Sequence, residues 1–312
     1  MFRYEDLLKE VEEFKNRGIE TGEIGYSVLN NPIPYIFIGD KKGDSIIVTG
    51  GIHAREHITS LLVVNQAKHL LKNPSHLIMG GIYFIPMVNV DGVKLCQEGV
   101  AFLEDKQIKK NLLKINSSAD FSLWKANING VDLNVNFDAR WGQGKSNVFF
   151  KSPSNYVGKM PNSEIETKSL VHFTREIKPL ATISYHCKGE VIYWRFFQKT
   201  KQQLWRHYRL AKSISEVTGY TLVASEAGSC GGYKDWCIQT MDIPSFTIEV
   251  GSDKYEHPYP YTDFNNIYNK NADIPRRLLN TVARDKNLVK QYEYNTAKVY
   301  EGGNTVSQTS EK

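Results

Sequence analysis

Along the chain, short runs of β-branched and aromatic residues alternate with longer segments whose apolar positions recur every three or four residues. The short runs predict strands over Tyr35–Ile38, Ser45–Gly50, Gly81–Val88, Ala181–Tyr185, Val191–Trp194 and Ser245–Val250, each flanked by Gly, Pro, Asn or Asp. The longer segments predict helices over Tyr4–Lys15, Ile58–Leu71, Ser163–Ile177, Lys201–Thr218 and Pro275–Tyr292, the last opening on a proline that a first helical turn tolerates. Strands alternating with helices imply an α/β sheet. The stretch from Cys96 to Ile128 is rich in Lys and Asn and weakly periodic, which suggests a long surface excursion. No repeat or linker divides the chain, so residues 1–300 are expected to form one domain. The small polar residues of 301–312 suggest a disordered tail.

Composition narrows the function classes. The net charge is +5, but Lys and Arg are interspersed with Asp and Glu, so no nucleic-acid partner is implied. No apolar run reaches membrane-spanning length, and the N-terminal segment is acidic and amphipathic instead of signal-like, so a cytoplasmic location is expected. Four cysteines (Cys96, Cys187, Cys230, Cys237) without a CxxC pair fit reduced thiols better than a disulfide scaffold or a zinc knot. A Cys230–Cys237 bridge is the one pairing that sequence leaves open.

Candidate chemistry lies at strand ends, where α/β sheets collect ligands. His53 and Glu56 follow the strand ending at Gly50 and are three residues apart, a spacing that lets both reach one ion. A catalytic zinc takes three imidazole or carboxylate ligands and leaves a position for water, so a third ligand must come from elsewhere. His186, at the end of ATISYH, is the candidate. Glu249 closes a third strand, SFTIEVG, and a carboxylate beside a metal site can act as a general base. His57 competes as a ligand but lies on the other side of the turn from Glu56. Taken singly, each residue has an ordinary structural explanation; their joint placement at strand ends is what points to a site.

Four ordered blocks, GIHAREH (51–57), GVDLNVNFDARWG (130–142), SYHCKGEVIYW (184–194) and FTIEVG (246–251), resemble the zinc carboxypeptidase family over nearly the whole chain. The resemblance implies a mixed, largely eight-stranded twisted sheet with helices on both faces and a water-promoted attack on an amide carbonyl. It implies one Zn²⁺ held by His53, Glu56 and His186, with Glu249 as general base. It also implies an oxyanion-stabilising cation, for which Lys125 is the match although the family usually has Arg there. The chain departs from the family at the Asn-Arg clamp for a terminal carboxylate, which here reads Asn134-Val135, and at the capping Tyr, whose approximate place is taken by Ala227.

The blocks GVDLNVNF, GGYKDW and HCKGEVIYW resemble most closely the bacterial γ-D-glutamyl-L-diamino acid peptidases, which implies a muropeptide or other acidic peptide as substrate. Lys234, Lys188, Arg140 and Arg195 are then expected to line an acidic-substrate cleft, with Asn134 as a polar contact. The cytoplasmic expectation suggests wall-peptide recycling or a spore-associated role. Rival readings are a metallocarboxypeptidase for other acidic peptides, an N-acyl amino acid deacylase, which usually carries Arg where Val135 stands, and a non-catalytic zinc or peptidoglycan-binding protein. Oligomeric state is not legible in the sequence.

Overall fold

In the computed structural model, which describes residues 1–72, 80–223 and 228–286, eight strands form one mixed sheet. The strands are β1 (Glu20–Tyr26), β2 (Pro32–Gly39), β3 (Ser45–Thr49), β4 (Gly81–Ile85), β5 (Ala181–Cys187), β6 (Val191–Tyr193), β7 (Thr221–Val223) and β8 (Ser245–Val250), in the spatial order β1-β2-β4-β3-β5-β8-β6-β7. β4, β3, β5 and β8 run parallel, and the outer strands add antiparallel pairs β1·β2, β2·β4 and β6·β8 and the parallel pair β6·β7. Every residue of β4 and β5 is buried, as it must be when both faces of a sheet are covered.

The helices are α1 (Tyr4–Asn16), α2 (Ile58–Lys72), α3 (Val90–Glu98), α4 (Lys106–Asn116), α5 (Ile165–Ile177), α6 (Lys201–Thr218), α7 (Tyr233–Gln239) and α8 (Phe264–Asn271), followed by a helical run over 274–286. α2 packs on the central strands and α7 on β5 and β8. The predicted helices fall on α1, α2, α5 and α6 and on this last run, whose predicted end at Tyr292 lies outside the described residues, as does the tail 301–312.

Two strands and four helices carry no pattern that predicts them. β1 is an edge strand with one buried residue and β7 is only three residues long, so neither has the apolar run of a central strand. α3 contains Gly92 and opens on Val90-Asp91, while α8 is mostly Asn and Tyr. α7 follows a Gly-Gly turn that reads as loop. α4 corrects the surface-excursion expectation: Asp105 caps it by accepting from the Gln107 and Ile108 amides, and Leu112 points inward. Leu112 joins Leu95, Cys96, Leu103, Phe121 and Trp124 in a second small core. That core anchors the segment that carries Lys125, since Trp124 is fully buried and its Nε1 donates to the Asn127 carbonyl at 3.2 Å. All four cysteines are buried free thiols.

Candidate active site

The site forms where β3, β5 and β8 end. After β3 the chain must turn sharply, and Gly51 does so at φ +58°, where a Cβ would lie 2.5 Å from Ser60 Oγ. Only glycine meets both conditions without strain. The turn delivers His53 in extended conformation to the start of a 3-10 turn over Ala54–Glu56, whose Glu56 amide donates to the His53 carbonyl. Imidazole and carboxylate consequently face each other, with His53 Nδ1 2.9 Å from Glu56 Oε1.

His186 arrives from β5, and the parallel register of β5 and β8 pairs it with Glu249, so the two side chains rise from the same face of adjacent strands. His186 Nδ1 lies 3.1 Å from both Glu56 Oε2 and His53 Nδ1. These three residues, all buried, form a group able to hold a metal ion.

The donor set suits zinc in two respects. Ligands 2.0–2.1 Å from a tetrahedral zinc stand about 3.3 Å apart, close to the spacing seen here. Each imidazole also turns its other nitrogen to a supporting group, as metal-binding histidines do. His186 Nε2 meets Ser184 Oγ at 3.2 Å, and Ser184 in turn accepts from Thr49. His53 Nε2 lies 3.3 Å from Asp132 Oδ1, without the alignment of a hydrogen bond. Glu56 Oε2 further accepts the Cys187 amide at 3.2 Å.

Asp132, within the GVDLN block, is a member of the site that sequence reading left unassigned. It is completely buried and its second oxygen is 2.7 Å from Lys125 Nζ, so it bridges a candidate ligand and the candidate oxyanion cation. Burial alone pushes its carboxyl up, but Lys125 and His53 outweigh that and hold it far below the usual range. Lys125 is placed by backbone contacts: its carbonyl accepts the Ala54 amide, and Asn89 donates to the carbonyls of both Ile52 and Ala126.

Two carboxylates of the site are driven in opposite directions. Burial raises the Glu56 carboxyl, yet His53 and His186 bring it well below its ordinary value. Glu249 is raised to about 7, chiefly by burial and additionally by Glu56, against the pull of His186, Lys125 and Arg55. No direct hydrogen bond or ion pair among the described residues ties the Glu249 carboxylate, which faces a cavity of about 200 Å³ shared with His53, Lys125, Asn134, Arg195 and Lys234. A carboxyl poised near neutrality beside a cation and a metal-binding group is suited to moving protons.

The remaining candidates divide. Asn134 lines the cavity, and its Oδ1 accepts the Tyr233 amide. Lys234 also lines it but is not an isolated cation, because its Nζ donates to the Arg195 carbonyl at 3.1 Å and pairs with Asp235. With three donors on an ammonium, one remains for a ligand. Arg195 lines the cavity, whereas Lys188 and Arg140 do not. Lys188 is turned onto the carbonyls of Asp253 and Tyr255, and Arg140 stacks on Phe197 at 3.3 Å. Both departures arise from tertiary contacts of loops that no local pattern encodes. His57 faces away from the ligand group, 2.7 Å from Tyr261 Oη, and burial pushes it down to about 4. Ala227 lies outside the described residues.

The chain has relatives among known proteins. The chain is 36% identical over 265 residues to γ-D-glutamyl-L-diamino acid endopeptidase 1 of Lysinibacillus sphaericus, covering 80% of this chain and 65% of that protein. The chain thus spans slightly less than two thirds of that relative's length. It is 28% identical over 249 residues to murein peptide amidase A of Escherichia coli, covering 75% and 86% respectively. Bovine thrombin-activatable fibrinolysis inhibitor superposes with a TM-score of 0.73 at 20% identity, covering 91% of this chain and 97% of the other, which shows the shared fold. The zinc carboxypeptidase family model matches residues 4–274, and with the expected mixed sheet in place the chain belongs to the zinc carboxypeptidase family.

Proposed function

We propose that the protein is a zinc metallopeptidase that hydrolyses an amide bond in peptidoglycan-derived peptides, the bond between γ-D-glutamate and diaminopimelate being the preferred one. The observation that carries the substrate class is the cavity beside Glu249. Among the described residues Lys125, Arg195 and Lys234 line it, and although Asp132 and Asp235 pair with the two lysines, each ammonium carries three N–H donors, so that a carboxylate near the scissile bond can still accept from them. Relatives named as a γ-D-glutamyl-L-diamino acid endopeptidase and as a murein peptide amidase support the same class.

His53, Glu56 and His186 would hold the zinc. When bound, the ion supplies Lewis acidity, lowering the pKa of a water molecule and polarising a carbonyl. Glu249 accepts the proton of the attacking water and passes it to the departing amine, roles suited to a carboxyl whose pKa lies near 7. Lys125, held by Asp132, offers its ammonium where negative charge develops on the carbonyl oxygen. Asp132 keeps both Lys125 and His53 in position.

Mass spectrometry of digests of defined tri-, tetra- and pentapeptide muropeptides tests the reading. Cleavage after D-glutamate is expected. Release of ordinary C-terminal L-amino acids from standard reporters, with muropeptides left intact, would sink it.

A further inference from the structure

Beyond the small cavity at Glu249 lies a second of about 480 Å³, within the size range of ligand sites. The two share Lys125, Asn134 and Ser229, so they adjoin across one wall. That wall also carries Val135, a buried apolar side chain that presents no charge to either cavity. Lys145 lines the second cavity and not the first, exposed and laid across Gly228, where a Cβ would come within 3.1 Å of its Cδ. Among the described residues Lys145 has no carboxylate partner, unlike Lys125 and Lys234. Asn147, which also lines the cavity, has a buried amide nitrogen without a hydrogen-bond acceptor.

We infer that this second cavity receives the part of the substrate that follows the first residue of the leaving group, with Lys145 pairing a carboxylate at its end. The direction comes from Glu249. The group that protonates the leaving amine opens on the small cavity, so the first leaving-group residue sits there with its side chain toward Lys234. Its own carbonyl end leads out past Asn134, into the larger space. A single flexible ammonium suits a chain-terminal carboxylate, which it meets as a point charge. The protein then favours bonds with more than one residue beyond them over a bond next to a terminal residue.

This inference rests on the proposed wall-peptide activity, so the experiment separates the two. Kinetics are measured on three wall peptides in which diaminopimelate after γ-D-glutamate is C-terminal, followed by D-alanine, or followed by D-alaninamide. An α-linked L-Glu–L-Lys series of the same three lengths runs alongside. The D-alanine peptide is expected to have the lowest KM. Lys145→Ala should raise that KM by about three- to five-fold, the range of a solvent-exposed ion pair, with kcat unchanged. Lys145→Glu should raise it further, and neither substitution should alter the other two peptides. Equal KM values for all three lengths, or a Lys145→Ala effect that is the same on each, overturns the inference; so does a Lys145-dependent gain from lengthening the acyl side instead. If the wall series is not cut but the α-linked series shows the length and Lys145 dependence, the wall-peptide reading fails and this inference stands.

Discussion

Two clusters of buried acids lie within this fold, and they differ in what surrounds the carboxylates. Around Glu56 the neighbours are imidazole nitrogens that converge on one point, with acceptors facing acceptors. Around Asp91, Glu164 and Glu166 they are neutral donors. Asp91 accepts from the Ser27 hydroxyl, the Asn31 amide and the Leu29 backbone, and Glu164 from Asn127, Asn129 and Ser163. Glu166 accepts from Asn127 and the Val28 backbone. The consequence shows in the pKa directions: Glu56 is held well down by the imidazoles, whereas burial raises Asp91 and takes Glu166 to about 7, with Asp91 and Glu164 adding to the rise at Glu166. Charge burial therefore does not identify a site. Convergence of ligand atoms that lack donors of their own does, and the second cluster, every member of which is hydrogen-bonded, holds loops together.

The sharpest way to break this contrast is at Glu249, the one carboxylate of the site that direct partners leave untied. Glu249→Gln keeps the shape and removes the base. Turnover should fall by roughly 10²–10⁴-fold, the usual contribution of a general base, while zinc content measured by mass spectrometry of the native protein stays at one ion. Undiminished hydrolysis would show that the proton is moved elsewhere. A smaller effect is expected one step outward. Asp132→Asn retains size but loses the charge that orients His53 and Lys125, so zinc affinity in a chelator competition should drop by about 10–100-fold. An unchanged affinity would mean that Asp132 serves Lys125 alone.

How much of this contrast could be read from sequence depends on the range over which each residue is placed. His53, Glu56, His186 and Glu249 are delivered by strands with strong apolar runs and by one glycine turn, so local pattern locates them at strand ends. Asp132 has as clear a motif around it, but its role depends on Lys125 and His53, which approach it through Asn89 and the second core, contacts made across the fold. The cavity cations were the least legible. Lys234 and Lys188 look alike in sequence, yet one faces the cavity beside Asp235 and the other caps loop carbonyls. The edge strand β1 and the helix α4 escaped for a related reason: weakly apolar segments are recruited by packing that their own periodicity does not announce.

The smallest and most discriminating effect belongs to the second cluster and is read in stability. Glu166 has an ordinary carboxyl pKa of 4.5 when unfolded and about 7 when folded, so between those values the native state binds more protons than the unfolded state. Stability therefore falls as pH rises through that window and levels off above about 7. A shift of this size corresponds to at most about 3.5 kcal/mol, since each unit contributes roughly 1.4 kcal/mol. Glu166→Gln imitates the protonated form at all pH values. Urea unfolding of the variant should match that of the parent near pH 4.5 and show it more stable by about 1–3 kcal/mol at pH 8, its decline between the two being shallower by that amount while the part contributed by Glu249 remains. The metal-binding acids should leave this difference untouched, because it compares two proteins with the same site. Parallel pH profiles for parent and variant would mean that the neutral donors around Glu166 stabilise its anion after all, and the distinction between the two clusters would then have to rest on geometry alone.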